Sequence, residues 1–171
     1  MRIDFVPIPA TNGLIGMTFC PGKKQRGGMT GDWDRDLELD LEVILASGSS
    51  TLVNLMEDHE MRDLGVADTA ERIPEGLQYL RWPIADAGTP GPTWEAHWRK
   101  EGAGLISRLR GGENIVLHCK GGLGRTGMIA ACLLVQFECT AEDAISAVRA
   151  ARPGTIETAA QERFISVFAL R

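Results

Sequence analysis

The segment Ile115-Val116-Leu117-His118-Cys119-Lys120-Gly121-Gly122-Leu123-Gly124-Arg125-Thr126-Gly127 constrains this chain more than any other. Its apolar start reads as a buried strand, its glycines as a tight loop, and Arg125 to Phe137 as a buried helix. A strand turning directly into a helix aims several backbone N–H groups at one point, which makes an anion cradle. Gly121, Gly122 and Gly124 let the backbone curl with no side chain blocking the approach. Cys119 and Arg125 bracket this loop, so a sulfur is expected beneath the anion and a guanidinium fork beside it. Such a fork matches two phosphate oxygens. The surrounding field favours a thiolate aimed at phosphorus. The backbone of Lys120, Gly121, Gly122, Leu123 and Gly124, with the Arg125 side chain, is expected to bind the phosphate. A structural cysteine in an ordinary turn is the plainer alternative, and the spaced glycines and arginine argue against it. A nucleotide-binding loop is excluded, because no Gly-Lys-Ser/Thr stands where one would be needed.

Attack on a phosphate monoester needs a proton for the leaving oxygen. Asp86 is the candidate, in Trp82-Pro83-Ile84-Ala85-Asp86-Ala87-Gly88-Thr89-Pro90, a Gly/Pro-bounded loop just past a strand. Breakdown of a phosphocysteine then needs an oriented water, for which Gln161 is the candidate. Thr126 is placed to donate to the departing thiolate, and His118 to order the loop by hydrogen bonding rather than to act as a base.

The rest of the chain supplies a frame for this site. Strands are expected over Leu14–Phe19, Thr51–Leu55 and Gln78–Ile84, besides the one ending at His118. Helices are expected over Asp34–Ala46, Glu57–Leu64, from a Thr93 cap to Arg110, from Thr140 to Ala151, and over Thr158–Leu170. Gly27 to Gly31 reads as a glycine-rich loop. Strands separated by helices predict an α/β layered fold. A length of 171 residues suits a single domain, 1–171, with a core that needs no staples. A net charge of −5 argues against a general nucleic-acid partner. The longest apolar run, Met128 to Val135 with Phe137, is far short of the roughly 20 residues a membrane span requires. No signal peptide is visible, and the four cysteines form no CxxC pair, so a reducing, cytoplasmic setting is expected.

Residues His118-Cys119 through Arg125-Thr126-Gly127 resemble the cysteine-dependent protein tyrosine phosphatase superfamily. The likeness is to its dual-specificity branch, and within that to the kinase-associated (cyclin-dependent kinase inhibitor) type. Phe19-Cys20-Pro21-Gly22, the Pro83 to Pro90 loop and Ala130-Ala131-Cys132-Leu133-Leu134 carry it further, as does Ile156-Glu157-Thr158 to Gln161. The resemblance implies a central sheet of four or five mostly parallel strands flanked by helices, and no metal or organic cofactor. It also implies Cys119 as nucleophile, Arg125 as phosphate binder and Asp86 as general acid.

The expected activity is phosphoprotein hydrolysis, on phosphotyrosine, phosphoserine/threonine or both, through a phosphocysteine. Lys120 resembles a lysine of lipid-directed members, but Gly122 stands where those carry a second basic residue, so a phosphoinositide substrate is the alternative. A phosphate-binding module without turnover and a thiol-based arsenate reductase are further rivals. The first lacks any missing catalytic position, and the second lacks relay cysteines. Lys23, Lys24 and Arg26 read as a basic lip or as a merely solvated run, and Cys20, if it lies near Cys119, as partner in a reversible disulfide that protects the thiol from overoxidation. The partner is a phosphorylated protein, and a monomer is the simplest expectation.

Overall fold

In the computed structural model, which describes residues 1–28 and 31–170, the strand of the glycine loop lies at the centre of the sheet. Five strands take part: β1 (Asp4–Pro7), β2 (Leu14–Phe19), β5 (Ser49–Asn54), β6 (Gln78–Arg81) and β7 (Asn114–Cys119), in the order β1-β2-β7-β5-β6. β1 runs antiparallel to β2 at one edge, and the other pairings are parallel. Two further short strands, β3 (Lys24–Gly28) and β4 (Gly31–Asp34), pair antiparallel as a separate two-stranded sheet. They replace part of the loop expected over Gly27 to Gly31, of which residues 29 and 30 lie outside the described residues.

β7 is buried on both faces, and its period-two alternation sorts its side chains between two cores. Ile115 and Leu117 join Val53, Met17 and the helices α3 (Pro92–Arg110), α4 (Gly124–Leu134), α5 (Ala141–Ala151) and α6 (Ala159–Phe168). Val116 joins Leu52 and the Leu37, Leu41 and Ile44 stripe of α1 (Leu37–Ala46). The result is a single α/β domain, a mixed sheet with one helix against one face and four on the other. All eleven residues of α4 are buried, and beyond Arg125 and Thr126 in its first turn the helix is apolar on every side.

Several boundaries differ from the expectation for identifiable reasons. α1 starts at Leu37 because the Asp36 carboxylate accepts from the Leu39 amide as its cap, while Asp34 belongs to β4. α3 is capped by Gly91 with Pro92 in its first turn, so Thr93 lies inside it. β6 ends at Arg81, ahead of Pro83, which has no amide to donate. The helix after the glycine loop is α-helical to Leu134 and tightens into a 3₁₀ turn over Val135–Phe137. Thr140 and Thr158 cap α5 and α6 by accepting from the Asp143 and Gln161 amides.

Trp82, fully buried just past β6, packs edge-on against Trp94 and Trp98 of α3, whose rings stack 5.6 Å apart. Phe164 and Phe168 of α6 complete the cluster against Trp94. This aromatic block anchors the chain as it enters the Asp86 loop.

Candidate active site

The carboxyl ends of the parallel strands β2, β7, β5 and β6 lie at one edge of the sheet, the usual place for ligands in such sheets, and the main segments of the site leave from them. Phe19 is in register with Cys119, and the Leu55 amide donates to the His118 carbonyl at 3.0 Å. From β5 the chain runs into α2 (Asp58–Asp63). From β6 it runs into the Asp86 loop, pinned by Trp82 and Ile84 amides on the Asn54 and Leu55 carbonyls at 2.9 and 3.1 Å. From β7 it enters the glycine loop. The Asp86 loop and the glycine loop face one cavity of about 320 Å³, whose walls include Lys23, Asp86, Cys119, Lys120, Arg125 and Glu157.

Cys119 lies at the floor, and its Sγ accepts the Gly122 N–H at 3.2 Å. Gly122 has φ of 72°, and a β-carbon there would be driven into the Thr18 carbonyl, so this curl of the loop requires glycine. Arg125 is 2% exposed. Its Nη1 and Nη2 donate to the two carboxylate oxygens of Glu60 at 2.6 and 2.8 Å, and Nη1 also donates to the Ile84 carbonyl at 3.0 Å. Nη2 reaches Asp86 Oδ1 as well, at 2.8 Å. Burial works against the guanidinium charge, but the bonds to Glu60, with Cys119 and Asp86 adding, raise its pKa above the usual value. Burial likewise pushes the Glu60 carboxyl up. Its bonds from Arg125 and the Glu57 amide outweigh that and leave it below the ordinary range.

Asp86 is well exposed and is bonded at Oδ1 by the Ala87 amide at 3.1 Å as well as by Arg125. Ala87 has φ of 55°, a left-handed conformation uncommon for alanine, which turns the loop back toward the cavity.

Gln161 is fully buried beside the loop, not on the cavity wall. Its Oε1 accepts from the Glu157 amide at 2.9 Å and its Nε2 donates to the Gly88 carbonyl at 3.4 Å. It braces the acid loop against the start of α6. A β-carbon on Gly124 would collide with Glu157 Oε2 and Gln161, which measures how tightly both press on the phosphate loop. Thr126 Oγ1 is buried and makes no hydrogen bond among the described residues. The amide of Gly122, not Thr126, is what bonds the sulfur in this state.

The two ring nitrogens of His118 are buried and make no hydrogen bond among the described residues, and burial pushes the imidazole down to about 3, with the Cys119 backbone opposing. It is a neutral core residue. Cys20 follows Phe19 at the end of β2, and its amide donates to the Lys120 carbonyl at 3.4 Å. Burial pushes its thiol up to about 12, so it stays protonated beside the strand that carries Cys119.

Three further residues belong to the site. Glu60 sits in the short helix expected over Glu57–Leu64, where its neighbours look exposed, and only its spacing from Glu57, a capping-box spacing, hints at a role. Arg152, at the end of α5, donates from Nε to the Gly122 carbonyl at 2.7 Å and from Nη2 to the Gly121 carbonyl at 3.2 Å. Its Nη1 reaches Asp4 of β1 at 2.6 Å. With those carbonyls turned outward, the amides of the same peptides are left facing the cavity. Glu157 is the third, an exposed carboxylate on the cavity wall.

A thiol floor, a glycine loop, a braced guanidinium and an exposed carboxylate meet over one small cavity, an arrangement that can hold a phosphate. The chain belongs to the DSP-PTPase phosphatases: the family model Tc-R-P, described as "Polymorphic toxin system, DSP-PTPase phosphatase", matches residues 27–139. Among its relatives, cyclin-dependent kinase inhibitor 3 of Rattus norvegicus is 27% identical over 176 residues, 98% of this chain and 78% of its own. Protein tyrosine phosphatase domain-containing protein 1 of Mus musculus is 32% identical over 133 residues, 71% of this chain but 17% of its own. A crystal structure of kinase associated phosphatase, with its catalytic-site cysteine substituted by serine, superposes with a TM-score of 0.84 at 25% identity, covering 98% of this chain and 93% of its own. The chain is thus a phosphatase of the protein tyrosine/dual-specificity kind, a hydrolase.

Proposed function

We propose that the chain hydrolyses phosphomonoesters on proteins, with Cys119 attacking phosphorus. The backbone N–H groups of the loop from Lys120 to Gly124 and the Arg125 fork then stabilise the charge that develops on the equatorial oxygens. The carrying observation is Arg125, whose fork is fixed from behind by both oxygens of Glu60 before any substrate arrives. A dianion entering the cavity takes the side of Arg125 that Asp86 occupies. Asp86 is thereby released toward the leaving oxygen, to which it delivers a proton as the P–O bond breaks. The phosphoryl group now sits on Cys119 Sγ. Water attacks it from the side the leaving group vacated, with Asp86 taking the proton, and the thiolate departs. Gln161 exchanges its long bond to the Gly88 carbonyl for this water, and the unpartnered Thr126 hydroxyl donates to the departing sulfur.

A cavity of this size suits phosphotyrosine and phosphoserine/threonine alike. Catalysis needs a reduced Cys119, which fits a cytoplasmic setting. No helix among the described residues is long and apolar enough to cross a membrane.

The test is phosphate release from para-nitrophenyl phosphate across the acidic to neutral range. Cys119→Ser is expected to abolish turnover, and Asp86→Ala to reduce it by about 10²–10⁴-fold with loss of the basic pH limb. No turnover by the intact, reduced protein would overturn the reading and leave a phosphate-binding module.

A further inference from the structure

The three cations that follow β2 do not act as a run. Lys24 pairs with Asp34 across the β3–β4 hairpin at 2.7 Å, and Arg26 lines a separate cleft on that hairpin. Lys23 turns the other way. It is only 5% exposed, its Nζ lies 4.6 Å from the centre of the Trp33 ring, and it faces the Cys119 cavity. No carboxylate pairs with it among the described residues. Burial pushes its ammonium below the ordinary value, Cys20 and Cys119 favour the charge, and Lys120 opposes it.

A nearly buried lysine with no carboxylate on it is costly, and an anion entering the cavity it faces would offset that cost. The anion the cavity is already built for does not require it. The scissile phosphate has the loop amides and Arg125. Arg125 is itself matched by Glu60, so Lys23 and Lys120 remain as the two cations on the cavity wall with no carboxylate on them among the described residues. They are also arranged on one side. Lys120 follows Cys119 at the strand end of the loop, close enough to Lys23 to affect it. The carboxylates sit at the helix end, Glu157 against Gly124 and Asp86 on Arg125.

We infer that Lys23, with Lys120, forms a second anion subsite beside the phosphate cradle, which selects phosphopeptides bearing another anionic group next to the phosphoresidue. The indole of Trp33 holds the Lys23 stem and ammonium in place, so little side-chain freedom is lost when the anion binds. A carboxylate or second phosphate on a peptide reaches one wall only, which fits a cavity whose other wall is acidic. A polyphosphorylated inositol ring carries charge around its rim and would meet Asp86 and Glu157. Its bilayer would also meet a protein of net charge −5.

This inference rests on the phosphatase reading above, and its test separates the two. The kcat/KM of matched phosphopeptides, with aspartate or alanine beside the phosphoresidue, is measured for the intact protein, Lys23→Met, Lys23→Arg and Lys23→Glu. The intact protein is expected to prefer the aspartate peptide roughly tenfold, the scale of one charge-assisted contact. That ratio is expected to collapse to about one in Lys23→Met, to survive in Lys23→Arg and to invert in Lys23→Glu. An intact protein that turns over both peptides equally would overturn the subsite and leave the phosphatase. So would a Lys23→Met variant that loses the same factor on both peptides. Faster hydrolysis of phosphatidylinositol bisphosphate in vesicles than of the aspartate peptide, abolished in Lys23→Met, would overturn the peptide assignment. No turnover of any phosphoester would instead sink the phosphatase reading itself.

Discussion

Arg125 and Glu60 form a closed unit: a buried fork, a buried carboxylate, two bonds between them. Replacing Glu60 with Gln leaves a guanidinium buried against an amide that also donates. Breaking a buried pair from one side is expected to cost about 3 kcal/mol of stability. The displaced fork should lower kcat/KM by about 10–100-fold, the usual effect of misplacing a binding group by an ångström or so. Urea unfolding and para-nitrophenyl phosphate kinetics check the two effects separately. Cys119, Arg125 and Asp86, the proposed nucleophile, fork and acid, line one cavity, and each stands out locally in the sequence: Cys119 and Arg125 bound one loop, and Asp86 lies on a Gly/Pro-marked turn after an apolar strand. Glu60 was not legible, since its chemistry comes from a residue far along the chain and its own neighbours look like an exposed helix. The place of His118 beside Cys119 suggests hydrogen bonding, while alternation along β7 turns its ring to the opposite face of the strand, where it is buried.

At the scale of elements, most helices and the central strands followed from apolar spacing and caps, whereas β1 and the β3–β4 hairpin did not. β1 is four residues ending in proline, and the hairpin is polar enough to pass for loop. Both carry site residues or their supports, Asp4 in β1 and Trp33 in β4. The family match ends at residue 139, so α5 and α6, with Arg152, Glu157 and Gln161, lie beyond it. Arg152→Met keeps the aliphatic stem but removes the bonds to the Gly121 and Gly122 carbonyls and the ion pair to Asp4. Bonds to a charged group are worth about 1.5–3 kcal/mol, so a comparable loss of stability is expected, with kcat/KM down about tenfold as the loop amides lose their aim. Asp4→Asn should reproduce part of this. The double variant should fall short of the sum, because the second change removes a bond already gone. A thermal melt paired with steady-state kinetics reads all three.

For the whole molecule, two buried groups act in the same direction on acid stability. His118 is held at about 3 when folded and returns to about 6.5 when unfolded. The unfolded chain therefore binds the extra proton, and stability is lost as pH falls below about 6.5. Glu60, lowered when folded, contributes stability above the ordinary glutamate value of about 4.3, and that is lost as pH falls through its folded value. Urea midpoints should therefore decline from mildly acidic pH and drop more steeply further down, and His118→Asn should remove the upper part of the decline only. The Arg152 bridge has a consequence of a different kind. It ties a loop near residue 121 to Asp4, near the start of the chain, through a side chain that is made 148 positions after it. A chain still leaving the ribosome already contains its thiol, its acid and its fork, yet nothing turns the loop carbonyls outward. Synthesis therefore delivers the proposed catalytic residues before the side chain that aims their loop, and the loop gains its full set of bonds only once α5 has emerged and docked.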